Sequence, residues 1–415
     1  MTSLFGTPSG RTDGKDGATD RQLRRTLLTL NVFAALKMTL FPMAVITLFW
    51  KDEIGLSLTE ILTLQVFFSA ASVVMEYPSG YVSDRLGYRW ALIVACVFGL
   101  AGWGWYLVAE TFRGVLAAEL LLGVSYAFIS GSDTALLFET LKAGGRVDLY
   151  ARCDGRMVGW AQGGEAAGAL FAGLMYAHWP LLPFVAQIAV WAVALGLCLS
   201  LREPRMEPPG PVASHLAEAL GICRHAFLEN PAIRATIVSG MLLGLGSFYM
   251  VWLVQPYMQE CRVPVSWFGP VWAGANVVVA LAAANSHRAR KLAGEKGAYL
   301  LCCVLIVTAY LGLALTTAVW GFAFYYLLTA MRGLQGPLMR SRLQSLSERR
   351  NRASVLSLHS LVFRLGFVAT GPLVGWLADT RGLSSTFFLL SAFFILALGL
   401  AGIGFFRANV PDSLT

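Results

Sequence analysis

The chain has 415 residues, of which 56% are hydrophobic and only 13% charged, with a formal net charge of +8. Soluble proteins average about 25% charged residues, so this composition excludes a chain of water-soluble domains and implies a surface that largely faces lipid. The seven cysteines show no metal-ligand spacing, so neither a metal nor another cofactor is expected.

In chain order, residues 1–23 read as a disordered tail rich in Gly, Thr and Asp. They lack the short apolar core and small-residue cleavage site of a signal peptide, so the first apolar run is expected to stay in the protein. A bilayer core of ~30 Å needs roughly 20 apolar residues per helix. Such runs lie near 26–50, 58–80, 90–109, 114–140, 157–177 and 181–201, forming a six-helix bundle over 24–201. A cytoplasmic linker over 202–232 follows, with Pro204, Pro208, Pro209 and Pro211 and then a stretch, 215–228, able to form a surface helix. Six more runs near 233–257, 266–286, 297–317, 319–339, 353–378 and 385–406 make a second bundle over 233–406, ending in a tail over 407–415. The ninth and tenth runs are separated only by Thr316 to Trp320, but 297–339 is too long for one span. The expected fold is therefore all-α, with twelve transmembrane helices in two six-helix bundles.

Positive loops stay on the cytoplasmic side. Twenty-five of the 32 Lys and Arg residues fall in loops on one side, four fall on the other, and Lys37, Arg332 and Arg364 fall within spans. Both termini are thus expected in the cytoplasm. The net positive charge is a topology signal and gives no reason to invoke nucleic acid.

Between the second and third spans the chain reads Gly80-Tyr-Val-Ser-Asp84-Arg85-Leu-Gly87-Tyr-Arg89. This resembles the G-x-x-x-D-R-x-G-x-R loop signature of the major facilitator superfamily, at the expected position in a chain of six plus six spans. The resemblance covers about Arg24 to Arg407. It implies the twin-bundle fold with pseudo-symmetric halves, a multi-pass place in a bacterial inner membrane, and secondary transport of a small molecule by rocking of the halves. It also implies partners limited to substrate, protons and the lipid bilayer, with a monomer sufficient. In such proteins the loop is a conformational latch, here Gly80, Asp84, Arg85, Gly87 and Arg89, joined near the inner face by Glu76, Asp133 and Glu139. Gly80 permits close helix approach, and Gly87 a turn that a side chain would resist. Asp84 can pair with nearby arginines or with a helix N-terminus of the other half. The second-half loop, Asn285 to Lys296, is basic but lacks the aspartate, so latching is expected from the first half alone.

Charges within the bilayer cost at least ~2.5 kcal/mol each, so each needs a partner or a water-filled path. Lys37, Glu119, Glu165, Arg332 and Arg364 all lie on spans that line or flank the central cavity in the family. Glu165 and Glu119 are proton-coupling candidates. Lys37 and Arg332 could bind a negative or polar part of the substrate, with Arg364, Asn31, Tyr126, Trp252, Gln255 and Gln335 as further cavity candidates. The alternative is structural pairing of Lys37 with Glu165 and of Arg332 with Glu119. Tyr249 could touch substrate or pack, and His359 reads as a satisfied polar residue.

No phosphate-binding G-x-x-x-x-G-K-[ST] loop and no G-x-S-x-G elbow occurs, so neither ATP-driven pumping nor an enzyme is expected. The leading reading is proton-coupled export of small organic or amphipathic molecules. The alternative is proton-driven uptake of a polar or anionic metabolite. Two features depart from exporter relatives: Glu119 stands where many members carry an arginine, and Ala169 rather than proline follows Gly168.

Overall fold

The computed structural model describes residues 14–201, 203, 223–348 and 351–407, and among them there is no β-strand. Helix α1 runs Gly14–Met38, so residues 14–23 of the expected disordered tail are helical. Residues 1–13, 202, 204–222, 349–350 and 408–415 lie outside the described residues, while 223–229, which includes the end of the expected surface helix, is helical.

The first span is not one helix. After α1, a 3-10 turn at Phe41–Ala44 leads into α2 at Ile46–Asp52. Pro42 cannot donate a backbone hydrogen bond, and Gln187 Oε1 accepts from the Phe41 amide at 3.0 Å instead. Helix α3, Leu58–Leu86, opens with a capping box in which Ser57 and Glu60 satisfy each other's amides. It ends at Gly87, whose φ of +102° turns the chain into α4, Tyr88–Trp105. The fourth span is also broken: α5, Phe112–Ile129, and α6, Ser132–Ala143, meet at Gly131 with φ +83°. Helices α7, Tyr150–His178, and α8, Leu182–Ser200, complete the first half.

The second half begins with α9, Pro231–Glu260, where the Asn230 side chain caps the amides of Ala232 and Ile233, both at 3.1 Å. Then come α10, Phe268–Leu315, α11, Ala323–Leu346, and α12, Arg352–Arg407. α10 and α12 have 48 and 56 residues and would far exceed the bilayer if straight. Each breaks at a glycine with positive φ, Gly294 at +69° and Gly382 at +77°.

Packing shows that both fold back there. Along α11, Gly333 meets Val279 and Arg290 reaches Ser341, so the first part of α10 runs one way. Glu295 then reaches Arg342 and Gly312 meets Phe324, so the second part returns. Likewise the first part of α12 runs past α9 from His359 beside Gly240 to Thr370 on Tyr249. Its return runs from Phe387 on Tyr257 to Gly404 beside Ala235.

Seven stretches among the described residues are long and apolar enough to cross a membrane, against the twelve spans expected. The two hairpins count once each. α4, α7 and α11 fall outside that seven, diluted by aromatic, glycine and charged residues. Exposed apolar side chains are most numerous on the return stroke of α12, including Leu400, and occur on the return stroke of α10 and on α4 and α8 as well, as at Val304, Val97 and Val193. These elements make the lipid-facing rim, and α9 is the most deeply buried of the seven stretches.

Candidate functional site

The halves are joined at one end, the end away from the Gly80–Arg89 loop. Breaking the first span leaves the first-turn amides of α2 without helical acceptors, and the second half supplies one. Gln255 Oε1 on α9 accepts from Thr47 and Leu48 at 2.9 and 3.3 Å, while its Nε2 donates to the Met43 carbonyl at 2.8 Å. Trp50 stacks on Trp252 at 5.8 Å, and Gln259 bridges Lys51 and Asp52 at 2.9 and 2.8 Å. Gln255 and Trp252, expected to contact substrate, are both buried in this closure.

A second tie joins α3 to α12. Asp379 accepts from the Leu58 amide at 2.9 Å, the Thr59 amide at 2.8 Å and the Thr59 hydroxyl at 2.5 Å. A carboxylate is thereby placed on a helix N-terminus, where the dipole favours it. Gly375 allows the approach, since a Cβ there would sit 2.6 Å from the Leu58 carbonyl. The third contact, α7 with α10 and the turn before it, is equally close: a Cβ on Gly269 would meet the Ala169 carbonyl at 2.3 Å, and one on Gly173 the Val265 carbonyl at 2.2 Å.

The opposite, basic end is open. Among the described residues no hydrogen bond joins the halves there, and Gly80, Gly155, Gly159, Gly163 and Gly336 have no neighbour a Cβ would touch. Tyr77, Tyr81 and Tyr126 are exposed. The cleft therefore opens at the end bearing the loop signature.

Midway down the cleft, Glu165 on α7 accepts from Asn276 Nδ2 on α10 at 3.0 Å. Arg332 on α11 is exposed and makes no ion pair with Glu165. One carboxylate of the first half is thus hydrogen-bonded to an amide of the second. Gly164 and Gly168 let α7 lie against the end of α1, where a Cβ on Gly164 would meet the Ala35 carbonyl at 2.1 Å.

The other buried charges pair differently from the alternatives read in the sequence. Lys37 forms its ion pair with Asp133 of α6, not with Glu165, because the break at Gly131 turns Asp133 towards α1. Asp133 is accordingly not bound to the loop arginines. Glu119 is buried inside the first half, where it accepts from Tyr106 Oη at 2.5 Å and Gln65 Nε2 at 3.0 Å. No pair with Arg332 forms. Arg364 is half-buried on α12, and Tyr126 packs on Phe68 at 6.0 Å. Asn31 Oδ1, Gln335 Oε1 and His359 Nε2 are buried without a protein hydrogen-bond partner, so His359 is not the satisfied polar residue expected. Tyr249 is held by Thr370 at 2.6 Å.

At the basic end, Arg89 donates to the Leu199 carbonyl at 2.8 Å, tying α4 to the end of α8. Glu203 caps α4 through the amides of Tyr88 and Arg89, at 2.7 and 3.1 Å. Gly87 is required twice, by its positive φ and because a Cβ would lie 2.4 Å from Glu203 Oε2. Arg85 lies over the Tyr81 ring at 5.5 Å, Glu139 pairs with Lys142 at 3.8 Å, and Glu76 is exposed. Asp84 is exposed and makes no hydrogen bond among the described residues, so neither partner expected for it is engaged with the cleft open at its end. In the second half, buried Arg342 gathers four helices. It reaches Glu295 at 2.6 Å, Thr236 at 3.2 Å and the Phe405 carbonyl at 2.9 Å, and stacks over the Phe405 ring at 3.9 Å. Glu295 thus places an acid in the second-half loop that lacks the aspartate.

Asp379, Asn276, Glu203 and the Arg342–Glu295 pair escape sequence reading. Only Glu203, directly after the sixth apolar run, and Glu295, beside Gly294, stand where the loop pattern could have flagged them.

A sequence model of the Major Facilitator Superfamily matches residues 27–349. No curated protein matches the chain. Among solved structures, the nucleoside transporter NupG (D323A mutant) superposes with a TM-score of 0.80 at 14% identity, covering 92% of this chain and 100% of its own. A bacterial homolog of the human lysosomal transporter Spinster, inward-facing and unoccupied, gives 0.70 at 14%, covering 96% and 99%. A POT family transporter in complex with 5-aminolevulinic acid gives 0.72 at 13%, covering 93% and 96%. Identities this low establish the shared fold alone.

Proposed function

This chain belongs to the major facilitator superfamily, and from that premise we propose that it is a proton-coupled exporter of small organic or amphipathic molecules working by alternating access. Family and fold support secondary transport. Coupling, direction and substrate class rest on the site. The basic end is taken to face the cytoplasm of a bacterial inner membrane, following the loop charges.

The observation that carries the reading is Glu165 hydrogen-bonded to Asn276 across a cleft open at one end only, with the exposed Arg332 on the same half as Asn276. Ionised, Glu165 holds the second half through a charge-assisted hydrogen bond. A proton on the carboxyl weakens that bond, loosens the halves and leaves a neutral group inside the membrane. A cationic or polar substrate entering at the basic end competes with the proton for the same carboxylate, so the two occupy it in turn. That competition makes antiport, and aromatic walls such as Tyr126 and Phe68 offer apolar contact.

The exposed Arg332 guanidinium favours a second reading, proton-driven uptake of a polar or anionic metabolite. There, Arg332 holds the anion while Glu165 is protonated, and proton and substrate travel together.

Cells expressing the protein, loaded with a cationic fluorescent dye, separate the two. Export predicts lower dye accumulation than in cells without it, restored by a protonophore. Unchanged accumulation for every dye despite confirmed expression rejects export. Acid-stimulated uptake of organic anions, lost in Arg332→Ala, would then establish the second reading.

A further inference from the structure

A groove of about 110 Å³ lies between the first part of α10, its return stroke and α11, outside the central cleft. Its polar wall is Ser286, His287, Arg290 and Ser341, and its apolar wall includes Leu301 and Pro337. Arg290 is held by a 2.7 Å hydrogen bond to Ser341, which fixes its guanidinium at the groove rather than leaving it to wander. Arg288, Lys291 and Lys296 lie on the same turn of chain around the Gly294 break, and all three are exposed. The one acid there, Glu295, is engaged by buried Arg342, so the groove mouth keeps its positive charge.

The apolar surroundings are lipid-facing. Leu300 and Leu301 are exposed at 51 and 40%, on the rim that the return stroke of α10 presents to the bilayer. A basic, hydroxyl-lined pocket beside exposed leucines at the membrane boundary has two chemistries in register: donors for a phosphate and an apolar flank for acyl chains. Basic pockets between membrane helices attract anionic headgroups in this way.

The geometry points to this groove as a binding site for an anionic phospholipid, with the phosphate on Arg290 and His287 and an acyl chain along Leu301. The occupant is the lipid and not a soluble phosphate, because the apolar wall includes Leu301 and Pro337, both exposed beside the groove. Holding the two strokes of α10 against α11 at the Gly294 break, a bound lipid would stabilise the second half as a unit.

Native mass spectrometry of the full chain in detergent, with equal phosphatidylglycerol and phosphatidylcholine added, reads the site directly. Wild type is expected to retain the anionic lipid preferentially, Arg290→Ala to lose about fivefold of that preference with its one charge, and His287→Ala with Arg290→Ala to lose more. Arg113→Ala, which removes a charge at the opposite end of the molecule, should retain it. If Arg290→Ala is not monodisperse, His287→Ala decides alone, since His287 is exposed. Equal retention of both lipids by wild type, or a preference that survives His287→Ala with Arg290→Ala, overturns the proposal. So does protection against thermal unfolding by inorganic phosphate as large as that by phosphatidylglycerol, which would make this a site for a soluble anion.

Discussion

Asp379 and Thr59, 320 residues apart in sequence, are joined by two hydrogen bonds, with one carboxylate oxygen accepting both the Thr59 amide and its hydroxyl. The bond pair fastens the second half to the first at the closed end of the cleft. Hydrogen bonds to a charged group contribute about 1.5–3 kcal/mol. Asp379→Asn should therefore shift the population about tenfold or more towards the state open at that end. Spin labels at exposed Glu53 and Arg381 would report a longer distance in the variant, and an unchanged distribution would remove Asp379 from the gate.

Gln255 closes the same end by a separate route, through the amides of α2 and the Met43 carbonyl. Gln255→Leu leaves three buried polar groups unmatched, at about 1–3 kcal/mol. It should open the far end as Asp379→Asn does. The ties use different helix pairs, so their effects should add to within about 0.5 kcal/mol. Strong coupling in the double variant would mean a single closure rather than two.

Glu119 is expected to matter for stability and not for coupling. It lies inside the first half with Tyr106 and Gln65, away from the cleft. Glu119→Gln can keep both contacts and should transport with an undiminished response to a proton gradient. Glu119→Ala should lower the melting temperature, losing about 1–3 kcal/mol through its stranded partners. Abolished coupling in folded Glu119→Gln would instead make this buried cluster the proton site.

Arg342 tests the organisation of the second half. Removing one member of a buried ion pair costs about 3–5 kcal/mol, and this side chain also holds Phe405 and Thr236. Arg342→Ala should therefore lower thermal stability in detergent more than Glu295→Gln does. Equal effects would mean that the ion pair alone matters and the four-helix junction does not.

The arrangement of spans was legible because bilayer crossing writes itself locally, as runs of apolar residues. The loop signature was legible because its defining residues, Gly80, Asp84, Arg85, Gly87 and Arg89, lie close together in sequence. The interruptions were marked, by Pro42 in the first span and Ser130-Gly131 in the fourth, but hydropathy averages across them. Missing those breaks hid their consequences. Without the break at Pro42 there are no orphan amides for Gln255, and without Gly131 no reason for Asp133 to meet Lys37. Asp379 looked like an ordinary loop charge beside Arg381, since its partners lie in the other half. Charge partners inside a twin bundle are set by which helices cross, and residue spacing carries no trace of that.

The most direct test of the account is proton-driven transport by Glu165→Gln in proteoliposomes, with substrate movement followed under an imposed pH gradient and without one. The amide can still accept from Asn276 but cannot carry a proton. The account predicts a folded protein that exchanges substrate without a gradient, yet no longer accumulates it when the gradient is applied. Wild-type accumulation by Glu165→Gln under the gradient would contradict it, and the coupling carboxylate would have to be sought elsewhere in the chain.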